Sequence, residues 1–295
     1  MNRGVAAGLA VACVVANFGA YAVLRDYLST ARSPEPAWTT PSGDESAPAD
    51  PVNPLQGSVF LKGRPDGAVL RLSPGDCGTE GNQDDPRQLP VAWISPAEAA
   101  PVVVEIDGLT QTLATGLTAD GWWVVGTDTD CKVTAWTAAG PDGTTWSRSA
   151  VPARAWYLDP VDPRLVHAAG GRAVKVGAEC DAESVHPAAD HYYVVCTDDR
   201  LLQASLDSDL IESGVDTGVT AAAVGPDGLV AVLYNTPTCR ARLEVLDEGK
   251  PVESRQECFG NDRFALGVTW IGEDLAAQIG YALLDDSSGT WVERG

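Results

Sequence analysis

Basic side chains are scarce in this chain. Twenty Lys and Arg stand against 41 Asp and Glu in 295 residues, for a formal net charge of −21. Beyond residue 56 the balance is 36 acids to 17 bases, a net of −19. Such a field repels polyanions, which excludes nucleic acid and anionic lipid surfaces as partners of that region. Histidine is also rare: His167, His186 and His191 are the three present, and none adjoins a Ser or Cys in a nucleophile elbow. They are expected in loops or at strand edges. No phosphate loop, dinucleotide fingerprint or close Cys-x-x-Cys pair occurs. Helical periodicity is missing after the first two dozen residues, Pro96 to Ala100 allowing at most one turn.

What the chain does contain begins with Val5–Leu24, 20 residues without a charge, between Arg3 and Arg25-Asp26. At about 1.5 Å per residue, a helix of that length spans the roughly 30 Å apolar core of a bilayer. The run is longer than the core of a cleaved signal peptide, and Leu24-Arg25-Asp26-Tyr27-Leu28 is a poor cleavage context. Ala10-Val11-Ala12-Cys13 resembles a lipoprotein box but lacks its Leu. An uncleaved signal anchor is expected: a cytoplasmic tip at 1–4, a transmembrane segment at 5–24, a linker at 25–56 and an extracytoplasmic body at 57–295. Six prolines and the acids Glu35, Asp44, Glu45 and Asp50 between Ser29 and Gln56 predict a disordered tether.

Basic flanks leave the orientation of the anchor nearly tied, and cysteine breaks the tie. Outside the membrane run lie six: Cys77, Cys131, Cys180, Cys196, Cys239 and Cys258. Six cysteines allow 15 connectivities. Cys180 and Cys196 flank one strand-like segment, Cys239 and Cys258 another, so neighbour pairing is favoured and joins Cys77 to Cys131. Disulfides place the body outside the cytoplasm. Two metal readings compete. Cys180, His186, His191 and Cys196 form a set that zinc accepts. Asp128-Thr129-Asp130 and Asp207-Ser208-Asp209 could open calcium loops, though neither continues as an EF-hand. Disulfides and exposed turns are favoured, and no metal or cofactor is assigned.

The body reads as short β-rich runs between Gly, Asp and Pro clusters: Trp122–Thr127, Val133–Thr137, Arg172–Val176, Tyr192–Thr197, Leu201–Ser205, Leu229–Tyr234, Arg242–Leu246 and Leu275–Ile279. Several begin alike. Ala119-Asp120-Gly121, Ala189-Asp190-His191, Pro226-Asp227-Gly228 and Gly272-Glu273-Asp274 each lead into an apolar strand. Asp and Gly tolerate positive φ, so each is a hairpin turn with a mechanism. Spacings of 37 and 46 residues between the last three units suit one four-stranded propeller blade each. The wider gap before them leaves room for a blade around Leu165 to Val176. The fold class is all-β: a propeller of about six four-stranded blades, with seven as the alternative. Within Trp122-Trp123 the side chains must point to opposite faces, one buried and one toward a channel or neighbouring blade.

Gly140-Pro141-Asp142-Gly143-Thr144-Thr145-Trp146 resembles the Asp-box hairpin Ser-x-Asp-x-Gly-x-Thr-Trp of sialidase-type (BNR) propellers, with Gly143, Thr145 and Trp146 matching and Pro141 at the Asp position. Asp286-Ser287-Ser288-Gly289-Thr290-Trp291 is a second degraded copy that keeps Asp286, Thr290 and Trp291. Asp159 to His167 is similar to the Asp-Pro-x-Asn-Pro-x-x-Val-Tyr segment of the same propellers, which include photosystem-assembly factors. The composition also resembles that of secreted proteins of high-GC actinobacteria. The resemblance implies a propeller in which Trp146 and Trp291 are core pegs. Sialidase activity would need an arginine triad opening on a Phe/Tyr-Arg-Ile-Pro motif, which is missing; Gly63-Arg64-Pro65 is the nearest segment.

No catalytic residue is therefore assigned. The expected function is a membrane-anchored, non-enzymatic binding or assembly module with a protein or glycan partner at the cell envelope. The alternative is a glycoside hydrolase or lyase, which needs two carboxylates a defined distance apart in a central cleft.

Overall fold

The computed structural model describes residues 60–77, 89–97, 99–139, 142–168, 170–176, 180–188, 191–205, 211–215, 218–248, 250–260, 264–280, 282–286 and 289–294. The expected anchor, the linker and Asp207-Ser208-Asp209 lie outside them. The described residues belong to one compact unit, Val52–Gly295.

Each Asp/Gly turn reverses the chain into the next antiparallel strand, and repetition of that step builds six sheets, the blades of a propeller. Blade 1 holds β1 (Phe60–Gly63), β2 (Val69–Leu72), β3 (Ala92–Ser95) and β4 (Val102–Val104). Blade 2 holds β5 (Gln111–Leu117), β6 (Trp122–Thr127), β7 (Val133–Ala139) and β8 (Thr145–Ser149). Blade 3 departs from the four-stranded expectation, with β9 (Tyr157–Leu158), β10 (Leu165–Ala168) and β11 (Arg172–Lys175) among the described residues. Blade 4 holds β12 (Ala182–Pro187), β13 (His191–Cys196), β14 (Leu201–Ser205) and β15 (Ile211–Val215). Blade 5 holds β16 (Val219–Val224), β17 (Val230–Tyr234), β18 (Arg242–Asp247) and β19 (Lys250–Cys258). Blade 6 holds β20 (Ala265–Ile271), β21 (Asp274–Ile279), β22 (Ala282–Asp285) and β23 (Val292–Glu293).

The repeated turn units of the sequence are the entries to β6, β13, β17 and β21, the second strand of four blades. At Pro226–Gly228 the expected backbone is present, with Asp227 at φ 57° and Gly228 at φ 79°. Both are left-handed conformations that Asp and Gly adopt at low cost. Between Pro96 and Ala100 the described residues run irregularly from β3 to β4 without a helical turn.

Second strands are apolar on both faces because each is covered by blades on either side. The core is accordingly divided into six wedges, one per gap between neighbouring blades. Trp122 and Trp123 serve two of them. Trp122 is fully buried toward blade 1 with Ile94 and Val124, while Trp123 faces blade 3 with Val125 and Ala155. Trp122 Nε1 donates to the Lys62 carbonyl and Trp270 Nε1 to the Ala223 carbonyl, each at 3.0 Å. Both bonds tie a blade to the first strand of the preceding one.

Among the described residues every blade is made from one contiguous stretch of chain, and no strand is shared between the first and last blades. Closure rests on side chains instead. Gly63 N–H donates to Thr269 Oγ1 at 3.0 Å, and Arg71 Nη1 donates to Gln278 Oε1 at 3.2 Å. The Arg294 guanidinium bonds both Asp285 and the Gly67 carbonyl.

Candidate functional site: the central channel

First strands of a propeller line its axis, and here β1, β5, β12, β16 and β20, with residues just before β9, enclose a channel of about 370 Å³. Its walls are mostly small and apolar. One backbone device recurs in them. The first strands of blades 2, 4, 5 and 6 each carry a register shift, between Thr112 and Ala114, Ala182 and Ser184, Val219 and Ala221, and Ala265 and Gly267. A bulge bends the strand and re-aims one side chain. The four bulged residues, Leu113, Glu183, Thr220 and Leu266, all line the channel. Glu183 is the one charged member of that ring. Burial raises its carboxyl pKa, and the nearby Asp199 charge raises it further.

Three residues further along β12, about 10 Å on a strand, stands a second polar group. Ser184 Oγ lies 2.8 Å from His186 Nε2. Burial lowers the His186 pKa to about 4, and the positive charge of Lys62 adds to that effect. His186 is therefore neutral at neutral pH. Lys62 enters from β1, in the blade opposite, and burial lowers its pKa as well. The lining thus carries the Glu183 carboxyl at the β12 bulge together with the Lys62 ammonium, the His186 imidazole and the Arg154 guanidinium. Among the described residues lining it, Glu183 is the single carboxylate.

Sequence reasoning did not find this cluster. His186, expected in a loop or at a strand edge, is the penultimate residue of β12, the edge strand of its sheet, and lines the channel. His167 sits inside β10, its Nε2 2.8 Å from Asp159 Oδ2 and its ring stacked on Tyr157. Asp159 also accepts the N–H groups of Val161 and Asp162 at 2.9 Å each, which fixes the Asp-Pro turn. Burial would raise the Asp159 carboxyl, but the His167 bond and the two N–H groups outweigh it and the net shift is downward.

The six outer cysteines join as Cys77–Cys131, Cys180–Cys196 and Cys239–Cys258, with Cα atoms 5.6, 5.3 and 6.0 Å apart. The first bridges blades 1 and 2; the others clasp the β12–β13 and β18–β19 hairpins. Cys180 and Cys196 are thereby withdrawn from the zinc set, whose His191 meets Tyr193 instead. Asp128-Thr129-Asp130 forms a turn in which Asp128 Oδ1 accepts the N–H groups of Asp130 and Lys132 while Oδ2 faces Arg148. The Lys132 bond is the main reason its pKa falls. Among the described residues no cluster of metal-ligating side chains occurs.

The two degraded hairpin motifs fall between the third and fourth strands of blades 2 and 6. Gly143, at φ 64°, packs against the Trp122 ring, Asp142 takes a bond from the Thr144 hydroxyl at 3.0 Å, and Thr145 starts β8. Pro141 is outside the described residues. Asp286 Oδ1 accepts from the Leu275 N–H at 2.6 Å, and Thr290 is exposed beside Trp291. Trp146 and Trp291 are both half-buried against the core wedges, and Trp291 meets Phe259 edge-on at 4.9 Å.

No family model and no curated protein matches the chain by sequence. Solved structures match by fold. Aleuria aurantia lectin in complex with Fucα1-6GlcNAc is 11% identical at TM-score 0.50, over 81% of this chain and 95% of that one. YCF48 bound to D1 peptide is 9% identical at TM-score 0.45, over 80% and 81%. A Mycobacterium tuberculosis puromycin-hydrolyzing peptidase is 13% identical at TM-score 0.45, over 81% of this chain and 52% of that one, about half its length. At these identities the likeness extends to the fold alone: a six-bladed all-β propeller.

Proposed function

We propose that this is a membrane-anchored, extracytoplasmic binding or assembly module that engages a protein or glycan at the cell envelope without chemical turnover. The observation that carries this reading is the channel, whose walls present apolar surface and isolated polar groups. Concave apolar surface with few polar groups is the usual form of a ligand site. His186, held neutral with a low pKa, is a poor base at neutral pH. Three disulfides in one body suit an oxidising compartment. The apolar run Val5–Leu24 and the Pro-rich tether would hold the propeller near the membrane from outside. The lectin and YCF48, whose structures contain a glycan and a peptide, give precedents for the kind of partner by analogy only.

The test is a crosslinking pull-down of the full chain from native membranes, run beside turnover assays on a panel of envelope glycans. A saturable partner without turnover is expected. Turnover of any glycan, abolished by Glu183→Gln in a folded variant, would establish the hydrolase instead. Protease added to intact cells should degrade the body; its protection would overturn the assigned side of the membrane.

A further inference from the structure

Lys62 places a partly buried ammonium in the wall of the largely apolar channel. Among the described residues no carboxylate pairs with it. The one carboxyl of the lining, Glu183, stands at the bulge level, three residues from His186 along β12. A compact, strongly hydrated ammonium is costly to enclose without a counter-charge. His186 cannot supply one, since its imidazole is neutral here and would be a second cation if protonated.

We infer that the channel is a ligand site for a small molecule with one acidic headgroup and an apolar body, the headgroup held by Lys62 beside Ser184 and His186 and the body lying along the channel wall. This rests on the binding-module reading and names its ligand class. The anion would supply the counter-charge that Lys62 lacks, and the Ser184 hydroxyl can donate to a headgroup oxygen. Phe60, on the same strand face as Lys62, together with Leu113, Trp156 and Val268, gives the body an apolar surface. A channel of about 370 Å³ falls in the range of small-molecule sites. The acidic exterior does not oppose this, because at physiological salt fields from charges beyond about 8 Å are largely screened while the partly buried Lys62 is not.

The test is calorimetric titration of the full chain in neutral-lipid nanodiscs with phenylbutyrate, phenylbutyl phosphate, phenylbutanol and phenylbutylamine. Both acids should bind at least about tenfold tighter than the alcohol, with the amine weakest. Preference between the two acids separates a carboxylate ligand from a phosphate ester. Lys62→Met should remove the advantage of the acids while leaving the alcohol unchanged, and Lys62→Arg should keep it, which guards against a misfolded variant. Equal affinity for acid and alcohol would overturn the anion assignment and leave the binding-module reading standing. Preference for the amine, or no binding of any probe, would overturn it as well. Glycan turnover would refute the binding-module reading separately.

Discussion

The indole N–H of Trp122 donates to the carbonyl of Lys62 at 3.0 Å, so the residue that anchors blade 2 also fixes the strand that presents Lys62 to the channel. Trp122→Phe keeps most of the buried ring but removes this hydrogen bond, leaving the Lys62 carbonyl only its place in the β1–β2 ladder. A neutral hydrogen bond contributes about 0.5–1.5 kcal/mol. For a body of this size that is a fall in melting temperature of roughly 1–6 °C, measurable by calorimetry. An unchanged melting temperature would show that the bond contributes nothing to joining the blades.

The disulfides should differ in weight according to the chain they enclose. Cys77–Cys131 spans 54 residues and joins two blades, whereas Cys180–Cys196 and Cys239–Cys258 span 16 and 19 within hairpins. Loop-closure entropy assigns about 4 kcal/mol to the first and about 3 kcal/mol to each of the others. Paired Cys→Ser variants, compared by chemical denaturation, should therefore lose most when the inter-blade bridge is removed. Equal losses would mean that restriction of the unfolded chain is not the governing effect.

These same features show what a reader of the sequence can see. Asp-Gly turns before apolar strands are local, and they located the second strands of four blades. A fifth such unit, Pro65-Asp66-Gly67 before Val69–Leu72, has the form of Pro226-Asp227-Gly228 and opens the second strand of blade 1. The hairpin cysteine pairs were legible because each brackets its own strands. The channel was not. Its first strands are short and rich in Ala, Thr and Gly, as in Val219–Val224, and carry little period-two contrast. Lys62 and His186 lie far apart in sequence and line one channel only because a six-membered ring sets blades 1 and 4 opposite each other. The bulge that turns Glu183 inward leaves no mark in composition either.

The channel histidine predicts a specific pH dependence. Its pKa is about 4 in the folded protein against 6.5 when free, so the unfolded chain binds the proton first. The associated stability is complete above pH 6.5 and is lost as pH falls toward 4. The loss amounts to at most about 3 kcal/mol. Glu183, with its raised pKa, works in the opposite sense near the lower end of that window. Asp128 and Asp159, both shifted below 3.8, act only at lower pH. His186→Gln cannot take up the proton, so denaturation midpoints measured from pH 7 down to 4 should form a flatter profile than in the parent. Parallel profiles would mean that the imidazole is already charged in the folded state.

Closure of the ring offers the last test, because among the described residues no strand is shared between blades 1 and 6. Arg71 and Gln278 are both buried there, joined Nη1 to Oε1 at 3.2 Å, with the Arg71 Nε unpartnered and the guanidinium 5.8 Å from the Trp93 ring. Gln278→Leu removes the side-chain acceptor that the described residues offer this buried cation, and a hydrogen bond to a charged group contributes about 1.5–3 kcal/mol. Arg71→Met in the same background removes the cation and fills its volume, so the double variant should recover much of that loss. A double-mutant cycle read by denaturant midpoint measures the coupling, expected between about 0.5 and 3 kcal/mol. Strict additivity would show that blades 1 and 6 are held by apolar packing among Leu61, Val69, Ile271 and Ala276 alone, with the polar pair tolerated rather than needed.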